Sequence, residues 1–192
     1  MGTIVISENV TLDGVIEDPT GEDGFDRGGW FGQIGDDDRQ AWAEVEAGEA
    51  DRAEALLLGR CTYEWLAARW MSRTGAWAER LTSMPKYVVS STLEEPAWAN
   101  TSVLNGPLLD EVSALKGSLT GEIVVNGSGH LAHTLIEHGL VDELRLMVYP
   151  FVLGAGKRLF PSTRAQQAMR LVDARTIGNC LALLRYDVVR SE

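Results

Sequence analysis

The sequence has no long apolar segment. None of its apolar runs approaches the roughly 20 residues that a membrane-spanning helix needs. Its first residues, MGTIVISENV, contain no basic segment ahead of an apolar one, as a secretion signal would. We therefore expect no contact with membranes and a cytoplasmic location.

Cysteine is scarce. The chain has two cysteines, Cys61 and Cys180, and they lie far apart in the sequence. Neither belongs to a spacing that is typical of metal or redox sites. We expect reduced thiols and no disulfide framework.

Basic residues are also few. The chain has 17 Lys and Arg against 28 Asp and Glu, which gives a formal net charge of −11. Nucleic acids and anionic membranes are bound mainly through Lys and Arg, so both are excluded as expected partners. An anionic ligand would have to be held locally, against the overall field of the protein.

The length and composition suit one globular domain. At 192 residues, with 45% hydrophobic residues, the chain can bury roughly 70% of its unfolded surface without disulfides or metals. We predict a single domain over residues 1–192.

The most informative stretch runs from Gly121 to Leu159. Its apolar, β-branched opening, residues 122–126, predicts a buried strand. A helical pattern follows, Gly139 stands where a helix C-cap is expected, and residues 142–149 predict a second strand. The order is strand, glycine turn, helix, strand.

Similar units occur upstream. Apolar runs at 55–59 and 85–89 are each followed by small or polar residues and then by helical patterns. Such alternation predicts parallel strands with crossover helices. The runs 169–177 and 180–189, joined by Gly178-Asn179, predict an antiparallel hairpin. We predict an α/β protein with a mixed, mostly parallel sheet flanked by helices.

Three predicted strand ends carry residues that suit a phosphate. One has the turn Gly127-Ser128-Gly129, one has Arg60 and Thr62, and one has Ser90 and Ser91. Ligands of parallel sheets gather at the carboxyl ends of the strands, and helix N-termini attract anions. Each group also has an ordinary interpretation as turn or helix-cap chemistry, and the sequence leaves both open.

Residues 17–38 are acidic, rich in glycine and without periodicity. A loop of this length favours a functional lid. Trp30 and Phe31 lie inside it, and they either pack the loop onto the body of the protein or form the wall of a pocket for a planar ligand.

No metal site is predicted. His130, His133 and His138 could suggest zinc, and the first two could share a helix face, but the sequence offers no third ligand for that pair at a convincing spacing. Gly154-Ala155-Gly156-Lys157 is not a P-loop, because Arg158 follows the lysine where Ser or Thr is required.

Several motifs, in order along nearly the whole chain, resemble those of dihydrofolate reductases. They are Leu58 to Tyr63, Tyr87 to Ser91 and Glu122 to Leu131. Three more resemble the reductase domain of bacterial riboflavin biosynthesis and its small stand-alone relatives: Thr11 to Gly14, Gly139 to Leu144 and Pro150 to Gly154.

The resemblance implies a dihydrofolate reductase-like three-layer fold, with NADPH lying across the strand ends. Arg60 and Ser90 to Thr92 would surround the 2′-phosphate, and Thr62 with Gly127 to Leu131 would hold the pyrophosphate. Gly14 and Ile16 would lie near the nicotinamide. The full implied cofactor set is Gly14, Ile16, Gly59, Arg60, Cys61, Thr62, Ser90, Ser91, Thr92, Asn126, Gly127, Ser128, Gly129, His130 and Leu131.

The resemblance also implies a reductase acting on a pyrimidine- or pterin-like heterocycle. Asp13 is the best-placed catalytic carboxylate, although it equally suits a turn. Trp30, Phe31, Leu153 and Gly154 would form the substrate pocket. The riboflavin-pathway substrate carries a phosphoribosyl group, for which the chain offers few basic residues, so a neutral planar substrate stays open.

Two other functions remain possible from the sequence. One is a dinucleotide-binding protein of the same fold without catalysis, and the other is a structural α/β protein whose strand-end motifs are caps alone. The apolar C-terminal strands also suit a homodimer.

Overall fold

A computed structural model describes residues 1–162 and 166–190. The strands are β1 Thr3–Thr11, β2 Ala53–Gly59, β3 Lys86–Val89, β4 Thr101–Leu104, β5 Glu122–Asn126, β6 Glu143–Tyr149, β7 Met169–Ile177 and β8 Leu181–Val188. The helices are α1 Asp36–Arg52, α2 Arg60–Trp70, α3 Ala76–Ser83, α4 Leu108–Ser118 and α5 Gly129–Glu137, with a short 3-10 helix at Trp30–Gln33.

The strands form one mixed sheet in the order β4-β3-β2-β5-β1-β6-β8-β7. β2 pairs in parallel with β3 and β5, and β3 pairs in parallel with β4. β8 pairs antiparallel with both β6 and β7. The predicted mixed, mostly parallel sheet with a C-terminal antiparallel hairpin is confirmed.

By internal packing the chain divides into two compact units, residues 1–6 with 47–142 and residues 7–46 with 143–192. The first, called unit 1, has a core in which strand residues such as Val5, Leu58 and Val88 pack with Met84 and Trp98. The buried ammonium of Lys86 donates to the carbonyl oxygens of Leu81 (2.7 Å) and Met84 (2.8 Å) and lies over the Trp98 ring. It thereby satisfies carbonyls at the end of α3 that the helix leaves unpaired.

Helix α5 shows how the sequence sets an element. Its buried face consists of Leu131, Ala132, Leu135 and Ile136. Gly139 ends it with a φ of +66°, donating to Ile136 O (3.1 Å), while Leu140 N–H donates to Leu135 O (3.0 Å). This is a Schellman motif, which confirms the predicted C-cap at Gly139.

The second unit, called unit 2, is built on β6 to β8 and α1. Its core contains Trp30, Met147, Tyr149, Ile177 and Leu183. The hairpin turn lies at Gly178-Asn179, as predicted, with a φ of +60° at Gly178. The Asp38 carboxylate accepts from the backbone N–H groups of Asn179 and Cys180, so α1 holds the turn in place.

Two features of the region between β3 and β5 are not indicated by the sequence pattern. Helix α4 runs through Gly117 to Ser118, although glycine is more common just after the end of a helix than inside it. Strand β4 was not predicted at all. It follows β3 through an irregular segment, residues 90–100, where the sequence pattern indicated the approach to a helix.

Candidate active site

Two helix N-termini meet at the strand ends of unit 1. β2 and β5 are neighbours in parallel, so α2 and α5 begin at the same edge of the sheet. Gly59 is the N-cap of α2 and Ser128 is the N-cap of α5, and neither helix has a side-chain cap. The first N–H groups of both helices are therefore available to an anion.

Thr62 and Ser128 join these two turns. Ser128 N–H donates to Thr62 Oγ1 (3.0 Å), and Gly59 N–H donates to Ser128 Oγ (2.9 Å). The Ser128 hydroxyl donates in turn to Asn126 O (3.3 Å). We call this set of bonds, made by Gly59, Thr62, Asn126 and Ser128, the clasp.

The clasp needs glycine at position 127. Gly127 has a φ of +57°, and a Cβ there would lie 3.1 Å from Thr62 Cγ2 and 3.2 Å from Thr62 Oγ1. Ser128 shares the left-handed conformation, with a φ of +56°. Two successive left-handed residues turn the chain sharply from β5 into α5 and bring Ser128 against α2.

The remaining residues predicted near the pyrophosphate differ in exposure. Cys61 and His130 are exposed in the first turns of α2 and α5, and Gly129 is half-buried. Leu131 is buried in the core, so it can offer a ligand only its backbone N–H.

Arg60 and Thr92, predicted around a 2′-phosphate, are brought together. Arg60 Nη1 donates to Thr92 Oγ1 (2.6 Å), and Arg60 Nε lies 3.4 Å from Glu64 Oε1. Ser90 Oγ accepts from the N–H groups of Thr92 (3.2 Å) and Leu93 (3.0 Å), which is turn-capping chemistry. Ser91 is exposed in the same turn.

In unit 2, Asp13 holds a loop. Its carboxylate accepts from Thr11 Oγ1 (2.7 Å), Leu153 N–H (3.1 Å) and Gly154 N–H (2.8 Å). Arg158 Nη2 lies 3.6 Å from Asp13 Oδ2. The Thr11 hydroxyl and these N–H groups lower the pKa of Asp13 to about 2, so it is ionised at neutral pH and is not a proton donor there.

Gly14 and Ile16 lie in the turn that Asp13 begins. Gly14 has a φ of +78°, and Ile16 N–H donates to Lys157 O (2.9 Å). The turn of Gly14 and Ile16 therefore lies against the loop of Leu153 and Gly154. Asp13 joins the two through its bonds to Leu153 and Gly154, and Ile16 joins them through its bond to Lys157. Their roles at the nicotinamide and the substrate stay predictions.

The loop of residues 17–33 is organised around Asp18. The Asp18 carboxylate accepts from the N–H groups of Glu22 (2.7 Å), Asp23 (3.1 Å) and Phe25 (3.1 Å). Burial alone would raise the pKa of Asp18, but these N–H groups lower it overall. The acidic segment is thus an ordered loop with its own internal scaffold.

Trp30 and Phe31 have different environments. Trp30 is fully buried and donates through Nε1 to Glu17 O (3.1 Å), so it packs the loop onto the body, one of the two interpretations open from the sequence. Phe31 is only partly buried. Its ring is stacked on Tyr149, with 5.1 Å between the ring centroids, and it lies edge-on to Trp42, with 5.0 Å between the centroids. Of the pair, Phe31 is the one able to contact a ligand.

Sequence reasoning missed three residues of this region. Trp42 Nε1 donates to Asn9 Oδ1 (2.9 Å), and next to Asn9 the side chain of Glu8 is buried. The only signal was the polar triplet Ser7-Glu8-Asn9 interrupting an apolar strand.

Within residues 1–162 and 166–190, no group of three His, Cys, Asp or Glu side chains could hold a metal ion. In the same residues, no helix is both long enough and apolar enough to cross a bilayer.

Comparison with known proteins supports this picture. A Bacillus subtilis (strain 168) protein named YyaP, itself uncharacterised, is 36% identical over 105 residues. That alignment covers 54% of this chain and 55% of YyaP, so it spans about half the length of this curated relative.

Solved structures are similar over almost the whole chain. A putative riboflavin biosynthesis protein from Shewanella sp. PV-4 matches with a TM-score of 0.76 and 20% identity, covering 98% of this chain and 99% of the other. Dihydrofolate reductase from Enterococcus faecalis, solved with NADP(H), matches with a TM-score of 0.58 and 14% identity, covering 98% and 97%. The fold is dihydrofolate reductase-like.

The family model of the RibD C-terminal domain matches residues 2–183, a range that holds the clasp, the Asp13 turn, strand β7 and the start of β8. The chain belongs to the RibD C-terminal domain family.

Proposed function

We propose that this protein is an NADPH-dependent oxidoreductase that reduces a pyrimidine- or pterin-like heterocycle in the cytoplasm. The observation that carries the proposal is the pair of uncapped helix N-termini that the clasp holds at one sheet edge. Paired helix N-termini suit a pyrophosphate, because each offers unpaired N–H groups and the positive end of a helix dipole. Family membership supports the same activity.

Each part of the chain has a defined task in this proposal. The N–H groups at the starts of α2 and α5 bind the pyrophosphate, and Arg60 with the Thr92 hydroxyl binds the 2′-phosphate. Bound NADPH supplies the hydride. The protein has to fix the position of the nicotinamide, since hydride transfer depends on positioning.

The second candidate is a dinucleotide-binding protein of the same fold without catalysis. The observation that favours it is Asp13. Its low pKa and its bonds to Leu153 and Gly154 fit a structural anchor and leave the reaction without this residue as proton donor.

The test is a titration with NADPH and with NADH, followed by quenching of tryptophan fluorescence. We expect tight NADPH binding that weakens roughly ten-fold on Arg60→Ala, the loss of one charge-assisted contact, with NADH binding unchanged. Arg73→Ala is the matched control, because Arg73 is an exposed arginine just beyond α2 that lies over the Trp70 ring.

Absence of binding by either nucleotide would refute both candidates. Binding followed by oxidation of NADPH in the presence of a pyrimidine or pterin acceptor supports the oxidoreductase. Binding without turnover across such a panel favours the second candidate.

A further inference from the structure

The first observation concerns aromatic rings in unit 2. Phe31 and Trp42 are both only partly buried, and each is fixed by neighbours: Phe31 by Tyr149, and Trp42 by its hydrogen bond to Asn9. We call Phe31 and Trp42 the aromatic wall. Flat side chains held rigidly in this way suit the face of a planar ring.

The second observation is the Glu8 carboxyl group, which lies close enough to Glu46 on α1 for their charges to interact. The same Glu46 carboxylate acts on Tyr149, the ring that stacks on Phe31. Glu8 directly precedes Asn9, which holds Trp42, and its side chain is 8% exposed. Within the part of the chain that the structure describes, Glu8 Oε2 has no hydrogen-bond partner. Buried polar atoms normally have one, and an unpaired one calls for an explanation such as a ligand.

The chemical state of Glu8 limits what that ligand can be. Burial, together with the nearby Glu46 carboxylate one turn beyond Trp42 on α1, raises the pKa of Glu8 to about 8. At neutral pH its carboxyl group is therefore mostly uncharged, with one O–H donor and remaining acceptor capacity. A ring nitrogen or ring carbonyl of a neutral heterocycle matches these groups.

The third observation is the charge of the neighbouring loops. Residues 13–26 carry six carboxylates, Asp13, Glu17, Asp18, Glu22, Asp23 and Asp26. Their basic neighbours are already engaged: Lys157 with Glu17 (3.0 Å), Arg158 with Asp13 (3.6 Å), and Arg27 with Leu153 O. A phosphate ester placed here would face net negative charge, which disfavours it.

From these three observations we infer that the substrate of this reductase is an uncharged planar heterocycle without a phosphate ester, packed against the aromatic wall and hydrogen-bonded by Glu8. The inference rests on the proposed function and names the substrate class for it. It separates this chain from enzymes whose substrate carries a phosphoribosyl group.

The test compares two probes that share one ring system and differ by a phosphate ester, riboflavin and FMN. Binding is followed by flavin fluorescence with saturating NADP⁺ present, so that no hydride is transferred. We expect riboflavin to bind at least about ten-fold more tightly than FMN, the effect of like charge in the loops.

Variants assign the effect to residues. Glu8→Leu, which keeps the volume and removes the hydrogen bond, should weaken riboflavin about ten-fold, and Glu8→Gln should leave it within about three-fold. Glu44→Gln on the exposed part of α1 is the matched control. Glu17→Gln, which frees Lys157, should strengthen FMN binding alone. Asp187→Asn also removes one negative charge, but at the opposite end of the β6–β8 pair from Tyr149, so it should leave FMN binding unchanged.

Equal or tighter binding of FMN would overturn the inference, and so would the absence of riboflavin binding to protein that binds NADPH. These comparisons use the unmodified chain and stand even if Glu8→Leu does not fold. Failure to bind NADPH in the parallel titration would instead refute the proposed function, and this inference with it.

Discussion

Ser128 adopts a left-handed backbone conformation that serine seldom adopts, and its hydrogen bonds offset the cost of that conformation. A left-handed non-glycine residue costs about 1 kcal/mol or more. Here the conformation lets Ser128 bond to both turns through its N–H and its hydroxyl. The energy of those bonds offsets the backbone cost, and the alignment of α2 with α5 depends on them.

Substitutions at Ser128 and Thr62 separate the backbone cost from the energy of the hydrogen bonds. Ser128→Ala keeps the backbone cost and loses the Oγ bonds, so we expect a loss of about 1–2 kcal/mol in unfolding free energy. Ser128→Gly should lose less, since glycine accepts positive φ. Both should weaken NADPH binding by roughly ten-fold.

The matched pair at Thr62 is Thr62→Ser, which keeps the acceptor for Ser128 N–H, and Thr62→Val, which removes it. Urea unfolding and the nucleotide titration are the measurements. If the Ser128 variants bind NADPH as tightly as the wild type does, the clasp does not position the helix N-termini.

At the scale of elements, edge strand β7 stands out. It is nine residues long and exposes Leu171 (53%) and Val172 (47%). Among the strands of residues 1–162 and 166–190, β8 is its one neighbour in the sheet. Long exposed edges with apolar side chains invite pairing with another strand. An antiparallel pairing that sets Leu171 opposite Val172 of a second copy also sets Arg170 opposite Asp173, so charge favours a second copy as the partner.

We therefore propose that the expected homodimer forms along β7. Replacing both Leu171 and Val172 by Lys should convert dimers to monomers, measured by light scattering after size-exclusion chromatography, because like charges would then face each other across the pair. Leu109→Lys, at another exposed leucine, is the control. A wild-type monomer at all concentrations, or a dimer that survives the double substitution, contradicts the proposal.

The elements also show what the sequence could predict. The strand–turn–helix order, Gly139 as C-cap and the Gly178-Asn179 hairpin all follow from local patterns, and all are confirmed. The clasp could not be predicted in detail, because Thr62 and Ser128 are far apart in the chain and meet only after β2 and β5 pair. Strand β4 was missed because it has four residues, of which three are half-buried and one is exposed, and these give too little alternation.

Glu8 was missed for a related reason. Whether a polar strand residue is buried depends on what packs over it, and Glu46, which acts on Glu8, belongs to a helix further along the chain. The sequence likewise placed Asp13 at a functional turn, but its bonds to Leu153 and Gly154 required the folded loops.

At the scale of the whole molecule, Glu8 links stability to pH. The pKa of Glu8 is about 8 in the folded protein, against 4.5 for an ordinary glutamate such as one in the unfolded chain. Between these two pH values the folded chain therefore holds a proton that the unfolded chain has released. Stability is then greatest at the acidic end of this window and falls as pH rises to about 8, by at most about 1.4 kcal/mol per pH unit.

Urea unfolding at pH 5.5 and pH 8 measures the effect. Wild type should lose stability over this interval relative to Glu8→Gln, which has no proton to release. Burial lowers the pKa of Lys86 to about 8, so Lys86 changes stability mainly above pH 8, and it does so equally in wild type and Glu8→Gln. Asp13, with a pKa of about 2, acts below pH 5.5. Parallel stability curves for wild type and Glu8→Gln would show that Glu8 is ionised in the folded protein.

The clasp also has a consequence for descent. The clasp needs three residues together. Thr62 supplies the hydroxyl that accepts from Ser128 N–H, Gly127 leaves room for the Thr62 side chain, and Ser128 adopts the left-handed turn. Across relatives that share this arrangement, the three positions should change in concert or not at all. A chimaera that takes β5 and α5 from one relative and β2 and α2 from another should fold well only when both parents carry the same trio.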